Sequence, residues 1–226
     1  MNFKSILHVE ETLVFILFQY LILNTKVLAY SPVSKMEFCM RAHPRLEAFN
    51  FKKWIDENAD QLKPPVGNKL MHTDSDMIVM VVGGPNTRVD FHDDPANEWF
   101  YQIKGDMILK IADEGGIYDV SICEGEVFML PPHTLHAPQR PQVGSIGIVV
   151  EGARHAGMLE GFEWFCFECE SRVHRVEVPL DGPEGIVHKL PKIFESYHND
   201  ISARTCSECG ALHPGKGKPP EGWVGL

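Results

Sequence analysis

A chain of 226 residues, 44% hydrophobic and 23% charged, has room for one medium domain and an appendage, with the composition of an ordinary globular protein. Its net charge of −10 argues against a nucleic-acid partner, because phosphate binding needs clustered lysine and arginine. Of the six cysteines, Cys166/Cys169 and Cys206/Cys209 form two C-x-x-C pairs, which at this chain length read as a metal clip rather than a disulfide framework.

An apolar run from Leu13 to Leu23 follows Lys4 and precedes Val27-Leu28-Ala29. This resembles a signal-peptide core with a small-residue cleavage site, although Glu10 and Glu11 are out of place ahead of one. The run is too short and interrupted for a stable membrane span. Met36 lies just before the first globular-looking sequence. Two readings of 1–35 therefore stay open. One is a secretory or organellar targeting segment; the other is an extension from an upstream start codon on a cytoplasmic protein. Neither belongs to the fold.

Leu46, Phe49, Trp54, Ile55 and Leu62 among charges predict a short amphipathic helix, ended by Pro64-Pro65. From Met77 the pattern changes to short strands over 77–82, 89–92, 99–104, 107–111, 117–122, 127–130 and 146–151. Turn signals separate them at Gly83-Gly84-Pro85, Gly105-Asp106, Glu114-Gly115-Gly116 and Glu124-Gly125, so the fold class is mainly β, a sandwich or barrel. Beyond it, 162–167 and 174–178 are strand-like, and 191–198 reads as a helix opened by its proline. From His213 the chain is rich in Gly, Pro and Lys, a poorly packed end. The expected division is a barrel over 36–165, a metal-binding segment over 166–212 and a flexible tail over 213–226.

His92, Glu98 and His136 stand out chemically. Two imidazoles and one carboxylate on strand-like segments make the facial triad of a non-haem Fe(II) oxygenase, which leaves three adjacent positions open. Alternation places Arg88, Asp90 and His92 on one face, and Glu98, Phe100 and Gln102 on another. His136 and Arg140 share a side if the chain between them is extended. Glu151 ends an apolar run, where a carboxylate is costly unless paired. These residues can converge in one barrel mouth. A lone strand histidine is ordinarily a core or surface residue. His43, His72, His155, His174, His188, His198 and His213 have no spacing partner and are read that way. His133 is placed at the rim, and Asp94, in a turn with Asp93 and Pro95, in solvent.

The spacing His92, Glu98, Gly105 and then Gly125, Pro131, His136 resembles the paired signatures of the cupin family. Asp94 stands where a second histidine is usual, His133 where a glycine is and Arg140 where an asparagine is, which suggests three ligands instead of four. The stretches 87–106 and 129–141 are similar, more closely, to the 3-hydroxyanthranilate 3,4-dioxygenase family, a likeness running from about Arg45 to Cys209. The resemblance implies a cupin jelly-roll barrel with Fe(II) on His92, Glu98 and His136. It places substrate at Arg88, Glu98, Arg140 and Glu151, with catalytic parts for Arg88 and Glu151. It implies cleavage of the aminophenol ring by dioxygen to 2-amino-3-carboxymuconate semialdehyde, on the cytoplasmic kynurenine route from tryptophan to quinolinate and NAD. The four cysteines resemble a rubredoxin-like site for Fe or Zn, although Gly follows Cys209 and not Cys169. A homodimer is compatible with this reading; nucleic acid and a stable membrane span are not expected. The rivals are another cupin Fe(II) oxygenase, a metal-binding cupin without oxygenase activity, and a zinc-ribbon module built on the cysteines.

Overall fold

The computed structural model describes residues 47–64, 67–73, 75–179, 185–216 and 219–223. The expectations for 1–35, and for His43, lie outside them. Asn50 accepts a hydrogen bond from the Lys53 amide at 2.9 Å and caps helix α1 (Phe51–Glu57). The Asn58 side-chain Nδ2 donates back to the Trp54 carbonyl at 2.6 Å, and a 3-10 turn, Ala59–Leu62, follows. The predicted helix is therefore a capped short one plus a tighter turn.

Eleven strands follow among the described residues: β1 (Asn68–Leu70), β2 (Ile78–Gly83), β3 (Asp90–Asp93), β4 (Glu98–Lys104), β5 (Met107–Asp113), β6 (Gly116–Ile122), β7 (Val127–Leu130), β8 (Leu135–Gln139), β9 (Ile146–Glu151), β10 (Leu159–Phe165) and β11 (Arg172–Pro179). They pair antiparallel into a five-stranded sheet, β1-β2-β9-β4-β7, and a six-stranded one, β11-β10-β3-β8-β5-β6. Val82, Phe100, Leu130 and Val149 from the first sheet pack against Met107, Leu109, Ile111 and Ile122 from the second. This is the two-sheet jelly roll expected of the cupin-like spacing. Gly105 and Gly125, the glycines of the two signatures, sit at φ +65° and +87°, which explains the residue type at both turns.

The second sheet is covered on both faces. His92 and His136 face inward, while Phe91, Ala112 and Ala137 pack outward against Phe165 and Trp223. Helices α2 (Gly185–Asn199) and α3 (Ile201–Arg204) are the last elements among the described residues. Leu190, Ile193, Phe194 and Tyr197 of α2 cover Phe162 and Trp164. Pro191 lies inside α2 and does not open it, so the sequence expectation is corrected: packing of this apolar stripe outweighs the proline's disfavour. The tail also differs from expectation. Its Trp223 meets Phe167 edge-on at 4.7 Å and Phe91 at 6.2 Å, and its indole N–H donates to the Arg88 carbonyl at 3.1 Å. That end is docked as far as Trp223 because a large aromatic surface finds an apolar seat there. Among the described residues no helix is long and apolar enough to cross a membrane.

Candidate metal and substrate site

Strand register builds the site. His92 on β3 lies directly opposite His136 on β8, and on its other side opposite Phe162 on β10. The His92 ring stacks on Phe162 at 5.0 Å and 8°. On the facing sheet Glu98, the first residue of β4, pairs with Glu151, the last of β9. His136 Nε2 comes to 2.9 Å from Glu98 Oε1, and His92 Nδ1 to 3.6 Å from the same atom. All three side chains are buried, and their donor atoms lie within 4.8 Å of one another.

The residues fit a divalent metal. His136 Nδ1 hydrogen-bonds the Thr134 carbonyl at 2.8 Å, so the neutral ring turns the lone pair of Nε2 toward Glu98. Glu98 Oε1 is buried and receives no hydrogen bond. A lone pair facing a carboxylate oxygen at this distance is repulsive unless a cation is shared or the ring is protonated. Burial works against the charge of Glu98, but positive charge on the imidazoles of His136 and His92 beside it, where a bound cation would otherwise supply it, brings its carboxyl down to about 2.

A cavity of about 620 Å³ opens onto the triad, walled by Met80, Phe100, Val149 and Phe162. Arg88, Arg140 and Glu151 line it too, so the structure brings together all six residues expected at the mouth. The Arg88 backbone is clamped by the Gln139 amide, which accepts from its N–H at 3.1 Å and donates to its carbonyl at 2.9 Å, and its guanidinium pairs with Asp90. Arg140 is 2% exposed. Its Nη2 has only the Met107 sulfur at 3.5 Å, and its Nε has no partner. Burial, and then Arg88 nearby, lower its guanidinium to about 10. Glu151 is pushed up to about 7 by burial and then by Glu98.

Asp94 requires a correction. It is 2% exposed, not solvated: Oδ1 accepts the Ala96 amide at 2.7 Å and Oδ2 pairs with Arg154 at 2.8 Å. The turn curls its carboxylate back under the strand end instead of outward. His133 is exposed, with Nδ1 3.0 Å from Asp93, and does not line the cavity. Arg154 and Glu160 were missed. Glu160 reaches His92 Nε2 at 3.4 Å and also pairs with Arg154. The available signal was alternation, which puts Glu160 on the same face of β10 as Phe162. Arg154 lies off any strand and carries no periodic signal.

Cys166, Cys169, Cys206 and Cys209 converge as a separate group with Sγ pairs at 3.5 and 3.6 Å and no disulfide. The two loops are built alike. The Glu170 amide donates to the Cys166 carbonyl at 2.9 Å, and the Gly210 amide to the Cys206 carbonyl at 3.0 Å. Glu170 adopts φ 58° where Gly210 has 77°, so the missing glycine after Cys169 is replaced by a glutamate in the same left-handed turn. Four thiols this close form a donor set of the kind that holds a metal tetrahedrally.

The family model described as 3-hydroxyanthranilic acid dioxygenase matches residues 44–198. A protein from Ruegeria pomeroyi named 3-hydroxyanthranilate 3,4-dioxygenase is 57% identical over 80% of this chain and 99% of its own length. One of the same name from Brucella anthropi is also 57% identical, over 80% of this chain and 99% of that one. A solved cupin-2 domain protein from Shewanella frigidimarina, 15% identical, covers 47% of this chain and 95% of that one with a TM-score of 0.37, too loose a likeness to add to these. The triad, the arginine-lined cavity and the four-cysteine loops thus sit in a chain that belongs to the 3-hydroxyanthranilic acid dioxygenase family.

Proposed function

We propose that the barrel cleaves the ring of 3-hydroxyanthranilate with dioxygen, giving 2-amino-3-carboxymuconate semialdehyde, which cyclises to quinolinate and leads to NAD. Every atom of both reactants is kept in the product. His92, Glu98 and His136 are the residues that would hold Fe(II). Bound there, ferrous iron would supply the redox chemistry that lets dioxygen react with the electron-rich ring.

The protein's own part follows from the cavity. Arg140 and Arg88 offer planar cationic forks to the ring carboxylate and fix the ring's orientation. Glu151, with its carboxyl near neutrality at about 7, accepts the proton of the ring hydroxyl as the substrate seats. Met80, Phe100, Val149 and Phe162 keep water from the reacting face. The observation that carries this reading is one cavity holding both an unbonded buried carboxylate between two imidazoles and an unpaired buried arginine.

The four cysteines would hold Fe or Zn as a structural clip, and the barrel and this clip divide the labour. Four cysteines used as metal ligands suit a reducing compartment, and on that ground we place the chain in the cytoplasm. Iron content tests the assignment. His92→Ala and His136→Ala should each lose the barrel iron and turnover while keeping the clip metal. Stoichiometric barrel iron in either variant would overturn it.

A further inference from the structure

Arg154 has no part in the proposed reaction, yet it is the hub of the polar end of the cavity. Its side chain is 12% exposed and touches three carboxylates from three segments. These are Glu151 Oε2 at 2.5 Å, Asp94 Oδ2 at 2.8 Å, and Glu160 Oε1. The other oxygen of Glu160 approaches His92 Nε2 at 3.4 Å.

These carboxylates are also potential metal donors. Besides the triad, His92 with Asp94 and Glu160, and Asp94 with Glu98 and Glu151, each bring their donor atoms within 4.8 Å. The barrel therefore has donors for a fourth ligand and for a second cation. Arg154 contacts every carboxylate of those two sets except Glu98, which the triad already uses. Guanidinium stays charged, and its planar fork can engage several oxygens at once. A carboxylate bonded to it offers a second cation fewer free lone pairs and a repulsive neighbour.

We propose, resting on the reading of His92, Glu98 and His136 as the metal ligands, that Arg154 is a positioning residue and built-in counter-cation. It withholds Asp94 and Glu160 from the metal, so that protein ligation stops at three, and holds Glu151 on the substrate side.

Mn(II) is the probe, since a hard cation favours these oxygen and imidazole donors over the thiolates of the clip. The native protein should bind one Mn(II) in the barrel, with the paramagnetic resonance of an isolated ion. Arg154→Met should bind two, with a spectrum broadened by their coupling, and Arg154→Lys, which keeps the charge, should return to one. A single Mn(II) with an unchanged spectrum in Arg154→Met would overturn the role of Arg154 and leave the three-ligand site standing. No barrel Mn(II) in any of the proteins would overturn the ligand reading and this proposal with it. If Arg154→Met does not fold, adding Asp94→Asn and Glu160→Gln removes the carboxylates left unpaired and should restore a fold that binds one Mn(II). Failure of that triple variant to fold would assign Arg154 to packing and overturn the proposal.

Discussion

Replacing Arg140 with methionine should make the protein more stable and a worse enzyme at once. The guanidinium is buried, its Nε has no partner, and burial with Arg88 brings it down to about 10. Set against an ordinary 12.5, that shift amounts to an unfavourable burial on the order of 3 kcal/mol. Since the folded value lies below the unfolded one, the penalty is fully present at neutral pH and eases only as the pH rises through about 10. A methionine of similar reach removes the charge without opening a large void, and relaxation leaves a gain of about 1–3 kcal/mol. For a chain of this size each kcal/mol is worth about 2–4 °C in Tm. Catalysis moves the other way. Losing a charge-assisted pair to the ring carboxylate, typically ~1.5–3 kcal/mol, lowers kcat/KM by roughly ten- to a hundredfold. 2-Aminophenol, which lacks the carboxylate, should be a poor substrate of the native enzyme and lose little further. Steady-state kinetics on both compounds and thermal unfolding at matched metal content give the answer. Equal losses for the two compounds, or a lower Tm, would refute the reasoning, because misfolding cannot raise stability while selectively removing carboxylate recognition.

Glu151→Gln should lower kcat about a hundredfold or more with KM little changed, the usual size of a lost general base, as pre-steady-state rates would show. Cys166→Ser with Cys169→Ser should remove the clip metal and expose 166–212 to limited proteolysis, with a smaller loss of activity than in the histidine variants. If that double variant instead lost the barrel iron and kept the clip metal, the division of labour would be reversed. Burial, followed by Arg204, lowers the His213 imidazole to about 4. The unfolded ring takes its proton near 6.5, so this contribution to stability is whole above about 6.5 and lost as the pH falls toward 4. Tm measured between pH 7 and pH 5 should accordingly drop less in His213→Phe than in the native protein; an equal drop would assign the acid sensitivity elsewhere.

The barrel was legible because alternation and left-handed glycines are local signals. Gly105 and Gly125 mark turns whose geometry requires them. The triad was legible because register turns spacing into proximity: the signatures around His92 and His136 become neighbouring rungs of one sheet. What stayed hidden was long-range or double-sided. β8 contains Pro138, which withholds a ladder donor and blunts its strand signal. Asp94 reads as a turn residue because nothing nearby announces Arg154, sixty residues on. Glu160 comes close to His92 only through the pairing of β10 with β3. The docking of Trp223 depends on an outer face of the second sheet that alternation alone assigns to solvent. Glu170 shows the converse, a sequence departure from the expected glycine that leaves the turn unchanged.

Anaerobic loading with Fe(II), followed by 3-hydroxyanthranilate and a measured pulse of oxygen, tests the ring-cleaving assignment in one vessel. The expected result is one dioxygen consumed for each 3-hydroxyanthranilate, and a new absorbing product heavier than the substrate by the mass of one dioxygen. His136→Ala treated in the same way should consume none. Oxygen uptake that yields hydrogen peroxide and leaves the ring intact, or equal turnover in His136→Ala, would contradict it.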